Sequence, residues 1–208
     1  MENLVLLYRK LKTMAPDRII FENLFESEAL KFIRGNLLDI GAGFSPYRSA
    51  INKRCSYYSI DIDAKKKPTV CADAHFLPFN ANSFKSVLCT FLFEHLSRPW
   101  IAIKEIERIL KPDGAVILSV PFLCRYHADP YDFWRFTKDS LNELLHDFKI
   151  VRIYELGRVY TTIATFLYDN SPCPKFLIAL LLLFLFKAEK YLDKKVEHTL
   201  GFLVIARK

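Results

Sequence analysis

Apolar and polar positions alternate along most of the chain in patterns typical of strands followed by helices. Short apolar segments predict seven strands, over Asn36–Ile40, Cys55–Ile60, Val70–Cys71, Ser86–Cys89, Ala115–Val120, Phe148–Tyr154 and Gly201–Ala206. Helical periodicity predicts helices over residues 17–34, from near Pro46, over 99–110 and over 137–147, with Thr137 as an N-cap and residues 111–114 as a turn. Repeated strand–helix units predict an α/β fold, a doubly wound parallel sheet covered by helices on both faces.

Small and acidic residues end the first three predicted strands. Gly41 and Gly43 follow the first strand, Asp61 ends the second and Asp73 follows the third. In open parallel sheets, ligands bind beyond the carboxyl ends of the strands. Glycines allow a close approach of the backbone, and a carboxylate such as Asp61 can accept two hydrogen bonds from a ribose diol. Asp73 and the Ala74 backbone would meet the edge of adenine, so we predict a nucleoside-containing cofactor here.

A nicotinamide or flavin dinucleotide is the rival cofactor. Its pyrophosphate needs backbone amides, which usually come from a GxGxxG loop. Here the last glycine of that pattern is replaced by Pro46, which has no N–H. The sequence therefore favours a different adenosyl cofactor.

Five segments in order resemble the motifs of class I S-adenosylmethionine-dependent methyltransferases. They are LLDIGAG (37–43), YYSIDID (57–63), CADAHFLPF (71–79), FKSVLCTFLFEHL (84–96) and LKPDGAVILSVP (110–121). The resemblance is strongest to the small-molecule branch of the methyltransferase type 11 kind, which contains ubiquinone and menaquinone methylases, and it covers about residues 30–157 with the last strand. It implies a Rossmann-like, seven-stranded mixed sheet with an antiparallel last strand, a single domain over residues 1–208 and S-adenosyl-L-methionine as cofactor.

The resemblance also implies a role for each motif residue. Asp39, Gly41 and Gly43 would hold the methionine moiety, Asp61 the ribose hydroxyls, Ile62 the adenine face, Asp73 and Ala74 the adenine edge, and Thr90 with Phe91 the sulfonium end. Two positions depart from the family pattern. Ser45 replaces a third glycine and Lys85 stands where aspartate is frequent, and neither change removes a required contact.

The segment PFLCRYHADPYDFWRFT (121–137) is the densest in chemically active side chains. Its HxxPxDFWRFT pattern resembles a methyltransferase subgroup linked to surface-glycan assembly. His127 is the candidate general base, since an unperturbed imidazole has a pKa of about 6.5, and Asp132 or Asp129 would orient it. Tyr131, Trp134 and Arg135 are the candidate substrate-binding residues, and Arg135 would bind a phosphate or carboxylate group. The alternative is structural: Asp132 and Arg135 would form a local salt bridge and Trp134 would pack in the core. We expect His95 to shape the pocket.

The length, charge and cysteine spacing of the chain exclude several classes of function. The chain has 208 residues, 51% of them hydrophobic, and a formal net charge of +7. That length and apolar content suit one large domain, and the charge is too small to indicate nucleic-acid binding. The five cysteines include no CxxC pair, so we predict neither a zinc ribbon nor a disulfide framework, and no metal site.

A long insertion, residues 158–199, precedes the last strand. Within it Phe176–Phe186 is an unbroken apolar run, a helix of about 16 Å, roughly half of the ~30 Å needed to span a bilayer. Lysines flank the run, at positions 175, 187, 190, 194 and 195, and suit anionic headgroups. We predict a helix that docks on the cytoplasmic leaflet, with a homodimer interface as the alternative. No secretory signal is evident, because the run Leu4–Leu7 is short, so we expect a cytoplasmic protein that associates peripherally with the inner face of the plasma membrane.

The resulting hypothesis is a methyltransferase that acts on a glycan or a lipid-linked intermediate near the membrane surface. One alternative keeps the enzyme class and makes the acceptor a soluble or quinone-like small molecule. Another is a catalytically silent module that binds the cofactor for scaffolding or regulation.

Overall fold

The computed structural model describes residues 16–52, 55–170 and 198–208, together with positions 177, 181 and 184. Within these residues the strands are β1 Asn36–Ile40, β2 Ser56–Asp61, β3 Val70–Cys71, β4 Phe84–Thr90, β5 Leu110–Pro121, β6 Lys149–Glu155 and β7 Gly201–Arg207. The α-helices are α1 Pro16–Ser27, α2 Arg48–Ile51, α3 Pro99–Ile109, α4 Lys138–Leu144 and α5 Val159–Asn170.

The strands form one seven-stranded sheet in the order β3-β2-β1-β4-β5-β7-β6. Strands β1 to β5 pair in parallel, and β7 is antiparallel to both β5 and β6. The strand order reverses at β1, whose Leu38 lies opposite Tyr58 of β2 and Val87 of β4. This reversal opens the crevice in which doubly wound sheets bind ligands. The predicted fold class, a Rossmann-like mixed sheet with an antiparallel last strand, is confirmed.

Both faces of the sheet are covered, which explains why the central strands are apolar at successive positions. On one face Leu38 and Val87 pack with the apolar side of α3, including Ile103 and Ile106. On the other face Leu37, Leu88, Ile117 and Leu203 pack with α1 through Phe21 and Phe25. Burial of these two apolar layers holds the strand ends in fixed positions.

Two predicted element boundaries are wrong. The helix expected over residues 17–34 ends at Ser27, and a short 3₁₀ helix, Ala29–Lys31, follows it. There the amides of Lys31 and Phe32 bond three residues back, to Glu28 and Ala29, which tightens the chain toward β1. The turn expected before β5 lies inside the strand as a bulge: pairing to β4 begins at Leu110 and resumes at Ala115.

The predicted insertion is described only in part. Helix α5 belongs to it and packs against α1. Most of the run Phe176–Phe186 lies outside the described residues, but Leu177, Leu181 and Phe184 are helical and exposed, at 49%, 46% and 69%. Within the described part of the chain no helix combines the length and the apolar character needed to cross a bilayer.

Candidate active site

The loop after β1 lies at the carboxyl edge of the sheet and requires two glycines. Gly41 and Gly43 have φ of +66° and +53°, a conformation that L side chains rarely adopt. A Cβ at Gly41 would lie 2.7 Å from Leu92 Cδ1, whereas a Cβ at Gly43 would meet nothing within 4 Å. Ser45 adopts the same left-handed region, with φ of +53°. The serine thus preserves the turn that a third glycine would make, and the space over Gly43 is open.

Asp61 joins the ends of β1 and β2. Its Oδ2 accepts a hydrogen bond from the amide of Gly43 at 2.8 Å, and its Oδ1 accepts one from the amide of Asp63 at 2.9 Å. A carboxylate oxygen has two lone pairs, so each oxygen retains one for a ligand. The next side chain, Ile62, is 70% exposed, which is unusual for isoleucine. Together they present acceptor atoms beside an apolar surface, which suits a ribose and its attached base.

Asp39 is a buried acid at the end of β1, only 1% exposed. Its Oδ2 accepts a hydrogen bond from the Tyr57 hydroxyl at 2.6 Å, but its Oδ1 has no hydrogen-bond partner among the described residues. Burial raises the pKa of Asp39 to about 7, against the lowering effect of the Tyr57 hydrogen bond, and the charge of Asp61 adds to the rise. A cation at this edge would offset the unpaired carboxylate. These residues therefore fit the cationic methionine end of S-adenosyl-L-methionine.

The third acid, Asp73, is engaged by its neighbour. Its Oδ1 accepts hydrogen bonds from the amide of His75 at 2.9 Å and lies 2.6 Å from His75 Nδ1. Burial raises the pKa of Asp73, but the His75 contacts and the charge of Arg98 outweigh this effect, and the pKa is lowered overall. The adjacent Ala74 is buried. Asp73 is thus held ionised and oriented, as a residue that reads the edge of a base must be.

Thr90 ends β4, the strand that pairs with β1, and Phe91 follows it. Phe91 has φ of +50°, and its amide lies 3.0 Å from the carbonyl and 3.1 Å from the hydroxyl of Ser119, both on β5. Its ring packs at 5.1 Å from that of Phe21. Phe91 also lines a cavity of about 800 Å³ that lies beyond the ends of β4 and β5.

Three parts of the chain border this cavity. Helix α5 contributes Thr162, Thr165, Phe166, Asp169 and Asn170, the segment after β5 contributes Phe122, Leu123, Cys124, Arg125 and His127, and Arg18 lines it from α1. Arg125 Nε lies 3.8 Å from an oxygen of Asp169. The cavity is thus mainly apolar with a few charged groups, a composition typical of small-molecule sites.

The residues predicted after β5 divide into two groups. His127 lines the cavity, while Tyr131, Asp132, Trp134 and Arg135 are not among the lining residues. Asp132 binds Arg135 through two hydrogen bonds of 2.5 and 2.7 Å, and its Oδ2 accepts one from the amide of His127 at 2.8 Å. Arg135 holds the pKa of Asp132 well below its usual range. This is the local salt bridge that the sequence left open as an alternative.

Three of the predicted roles in this segment receive no support from the geometry and stay predictions. Asp132 does not hydrogen-bond the His127 ring, whose Nδ1 is 3.6 Å away. Arg135 also donates to the carbonyl groups of Arg125 and Trp134, so it does not present free donors to an anion. The Trp134 indole donates to the Leu96 carbonyl at 2.8 Å and its ring lies 6.1 Å from that of Trp100.

The sequence analysis did not identify the cavity-lining residues of α5. The polar residues of α5 are remote in sequence from every motif, and only a helical stripe of Thr162, Thr165 and Asp169 could have indicated them. Glu94 was also missed. It is fully buried between Phe93 and His95, and its carboxylate Oε1 lies 3.7 Å from His127 Nε2, which raises the pKa of His127.

Comparison with known proteins agrees with this geometry. Residues 38–118 match the family model of a methyltransferase domain. Over 156 residues the chain is 32% identical to the uncharacterised protein MJ0638 of Methanocaldococcus jannaschii, a match that covers 69% of this chain and 61% of the relative. The chain thus spans about three fifths of that relative's length.

Solved structures share the fold at low sequence identity. A SAM-dependent methyltransferase from Archaeoglobus fulgidus has a TM-score of 0.61 at 15% identity, covering 98% of this chain and 99% of the other. One from Aquifex aeolicus has a TM-score of 0.54 at 16% identity, with coverage of 95% and 92%. The [4+2]-cyclase SpnF has a TM-score of 0.59 at 20% identity, with coverage of 92% and 80%. The solved structures thus share the fold of this chain, and residues 38–118 resemble a methyltransferase domain, a class of domain that uses S-adenosyl-L-methionine.

Proposed function

We propose that the protein transfers a methyl group from S-adenosyl-L-methionine to an acceptor held in the cavity between α5 and the segment after β5. The supporting observation is that Phe91 belongs to both regions. It follows the strand next to the glycine loop, and its side chain lines the cavity. The cofactor's reactive end and the acceptor would therefore meet at Phe91.

The strand ends supply the cofactor contacts in this proposal. Asp61 accepts from the ribose hydroxyls with its free lone pairs, and Ile62 packs against adenine. The Asp39 carboxylate offsets the cofactor's ammonium group, while the open space over Gly43 admits the methionine chain. Asp73 and Ala74 contact the adenine edge.

The bound cofactor supplies a methyl group on a positively charged sulfur, which is already a good electrophile. The protein then has to align the acceptor, exclude water and manage the acceptor's proton. The acceptor oxygen forms its bond to the methyl carbon as the carbon–sulfur bond breaks, and the electron pair of that bond goes to sulfur. His127 borders the cavity and is our candidate for the base that takes the acceptor's proton. Asp132 positions His127 by accepting a hydrogen bond from its main-chain amide.

The acceptor class we propose is a glycan or lipid-linked intermediate at a membrane surface. The apolar lining of the cavity, with Phe122, Leu123 and Phe166, suits an apolar acceptor chain. Arg18 and Arg125 offer charge to an anionic group nearby. The exposed Leu177, Leu181 and Phe184 lie at helical spacing on one side, an arrangement typical of interfacial helices. We extend the proposal to residues 158–199 as a membrane-docking insertion of a single-domain enzyme.

The test is methyl transfer from cofactor carrying an isotope-labelled methyl group. The protein is incubated with separated membrane and soluble extracts, and labelled products and S-adenosylhomocysteine are measured by mass spectrometry. We expect a labelled, lipid-extractable product from the membrane fraction, and none with Asp61→Ala. A product only from the soluble fraction would overturn the acceptor class. Cofactor binding without S-adenosylhomocysteine from either fraction would overturn the enzyme and favour a silent binding module.

A flotation assay tests the membrane contact separately. We expect the protein to float with liposomes that contain anionic lipid. The triple variant Leu177→Ser, Leu181→Ser, Phe184→Ser should remain in the bottom fraction of the gradient. Equal behaviour of the two proteins would contradict docking through this surface.

A further inference from the structure

Three hydrogen-bond acceptors converge beside the cavity, at the carboxyl edge of the sheet. Glu94 and His95 lie on the 3₁₀ helix Phe93–His95 immediately after β4, and His127 lies on the segment after β5. Glu94 Oε1 is 3.9 Å from His95 Nε2 and 3.7 Å from His127 Nε2. One ligand atom from each of the three residues lies within 4.8 Å of the other two.

The imidazole rings are oriented by backbone carbonyl groups. His95 Nδ1 lies 2.6 Å from the Tyr131 carbonyl oxygen, and His127 Nδ1 lies 3.0 Å from the Arg125 carbonyl oxygen. A carbonyl oxygen only accepts hydrogen bonds, so each Nδ1 must carry the proton. In the neutral rings each Nε2 therefore presents a lone pair toward Glu94. Metal-binding histidines show this arrangement, with the second ring nitrogen donating to a carbonyl.

The Glu94 carboxylate lacks the partners that a buried charge requires. Its side chain is 0% exposed, and neither oxygen has a hydrogen-bond partner among the described residues. A buried carboxylate with no compensating group is costly. Three acceptors that face one another without a donor form an arrangement that a proton or a metal ion would complete.

The HxxPxDFWRFT segment is built to hold His127 over Glu94. The amides of Phe133 and Trp134 lie 2.7 and 3.3 Å from the Glu94 carbonyl oxygen, which fixes the segment to the end of β4. Asp132 accepts from the His127 amide, and Arg135 secures Asp132. The most distinctive residues of the sequence thus act as supports for this cluster.

We propose that Glu94, His95 and His127 bind a divalent transition-metal ion, with zinc as the best-matched metal. Two imidazoles and one carboxylate with a fourth position open are the ligand set of catalytic zinc. Bonds of about 2.0–2.1 Å at tetrahedral angles place ligand atoms about 3.4 Å apart. The two Glu94 distances of 3.7 and 3.9 Å are close to that separation, and the ligand atoms of His95 and His127 lie within 4.8 Å of each other.

The position of the ion defines its use, which rests on the proposed function. His127 lines the cavity, so an ion bound to its imidazole would lie near an acceptor held there. An acceptor hydroxyl bound there would lose its proton more readily, because a metal lowers the pKa of a bound hydroxyl. The oxygen would then attack the methyl carbon, and the proton would leave to solvent. In this arrangement the His127 lone pair would bind the metal. The metal, and not the imidazole, would then promote loss of the proton from the acceptor hydroxyl.

The rival occupant of the cluster is a proton shared between His127 and Glu94. The two are distinguished by titrating the chelator-stripped, full-length protein with Co²⁺, whose tetrahedral complexes absorb in the visible range, and with Zn²⁺ by calorimetry. We expect one Co²⁺ per chain with visible bands, and at least a 100-fold loss of affinity in Glu94→Gln and in His127→Ala. His146→Ala removes an exposed histidine elsewhere and should bind like the wild type.

The outcomes separate the metal from the methyl transfer. If the wild type binds Co²⁺ no more tightly than His127→Ala, the metal site is refuted. His127→Ala changes a partly exposed side chain, so it remains informative if Glu94→Gln fails to fold. Calorimetry with S-adenosyl-L-methionine on His127→Ala should give the wild-type affinity. A wild type that binds the cofactor but not Co²⁺ refutes only the metal site, and a wild type that binds Co²⁺ but not the cofactor refutes only the cofactor site.

Discussion

Asp39 shows how one buried acid connects stability with ligand binding. Its neighbours satisfy one carboxylate oxygen and leave the other without a partner among the described residues. The protein therefore keeps the carboxyl protonated to a pH near neutrality, where an exposed aspartate would be ionised. A bound cation would favour the ionised form.

Replacing Asp39 by asparagine should stabilise the protein in a pH-dependent way. Below about pH 4 the carboxyl is protonated in both the native and the unfolded state. Between about pH 4 and 7 the native state binds more protons than the unfolded state, so wild-type stability falls as the pH rises. The free energy of unfolding of Asp39→Asn should exceed that of the wild type by an amount that grows across this range and reaches at most about 4 kcal/mol above pH 7.

Urea unfolding from pH 4 to 8 measures this difference. The exposed Glu26→Gln provides a charge-matched control whose difference from wild type should stay nearly constant. A constant difference for Asp39→Asn as well would show that the carboxyl is ionised throughout, contrary to the account.

The two glycines of the β1 loop should respond differently to alanine. Gly43→Ala should cost about 1–2 kcal/mol for its positive φ, since no atom obstructs the new methyl group. Gly41→Ala should cost about 1–3 kcal/mol more because of the contact with Leu92. If the space over Gly43 admits the cofactor, Gly43→Ala should fold and yet bind S-adenosyl-L-methionine at least 10-fold more weakly. Unfolding and calorimetry measure both effects, and wild-type affinity in Gly43→Ala would contradict the assignment.

The strands and the segments that follow them were predicted with unequal success. Strand positions were recognisable because burial on both faces makes the strands apolar, and their polar ends marked Asp39, Asp61 and Asp73 as site candidates. The segment after β5 was recognised as important, but its roles were not. Whether Asp132 faces a ring, an amide or a guanidinium depends on a chain path that residue order does not specify.

The burial of Glu94 and the cavity-lining role of α5 could not be predicted from residue order either. An acid between Phe93 and His95 in the sequence is normally expected to be exposed, but Glu94 is buried, and the segment 121–137 bonds its carbonyl oxygen through the amides of Phe133 and Trp134. Helix α5 reaches the cavity through its contact with α1, which joins parts of the chain far apart in sequence. Long-range packing of this kind leaves no local pattern.

The Asp132–Arg135 pair should control the order of the segment after β5. Arg135→Ala leaves a buried carboxylate without its main partner and should lower the free energy of unfolding by about 2–4 kcal/mol. Arg135→Lys should retain part of that stabilisation, because lysine keeps the positive charge but cannot form the bidentate pair of hydrogen bonds that arginine makes with Asp132. Limited proteolysis should cut Arg135→Ala first between residues 121 and 137. A stable, resistant Arg135→Ala that loses only acceptor turnover would instead favour direct anion binding by Arg135.

The fold places the predicted cofactor site and the proposed acceptor cavity at the same edge of the sheet, beyond the carboxyl ends of the parallel strands. The reversal of strand order at β1 opens the crevice for the cofactor. The cavity is lined by residues of α1, α5 and the segment after β5. SpnF, a cyclase with the same fold, shows why the chemistry must be argued from the site. The central claim is therefore the adenosyl cofactor at the ends of β1 and β2.

Calorimetry with S-adenosyl-L-methionine on the wild type, Asp61→Ala and Asp63→Ala tests that claim most directly. Asp63 is a neighbouring acid whose carboxylate accepts from the Lys65 amide, so it provides a matched control. We predict binding of one cofactor per chain, at least about 30-fold weaker in Asp61→Ala, or about 2 kcal/mol for the lost ribose hydrogen bonds, and little changed in Asp63→Ala. Equal affinity of the wild type and Asp61→Ala, or no binding by the wild type, would contradict the account.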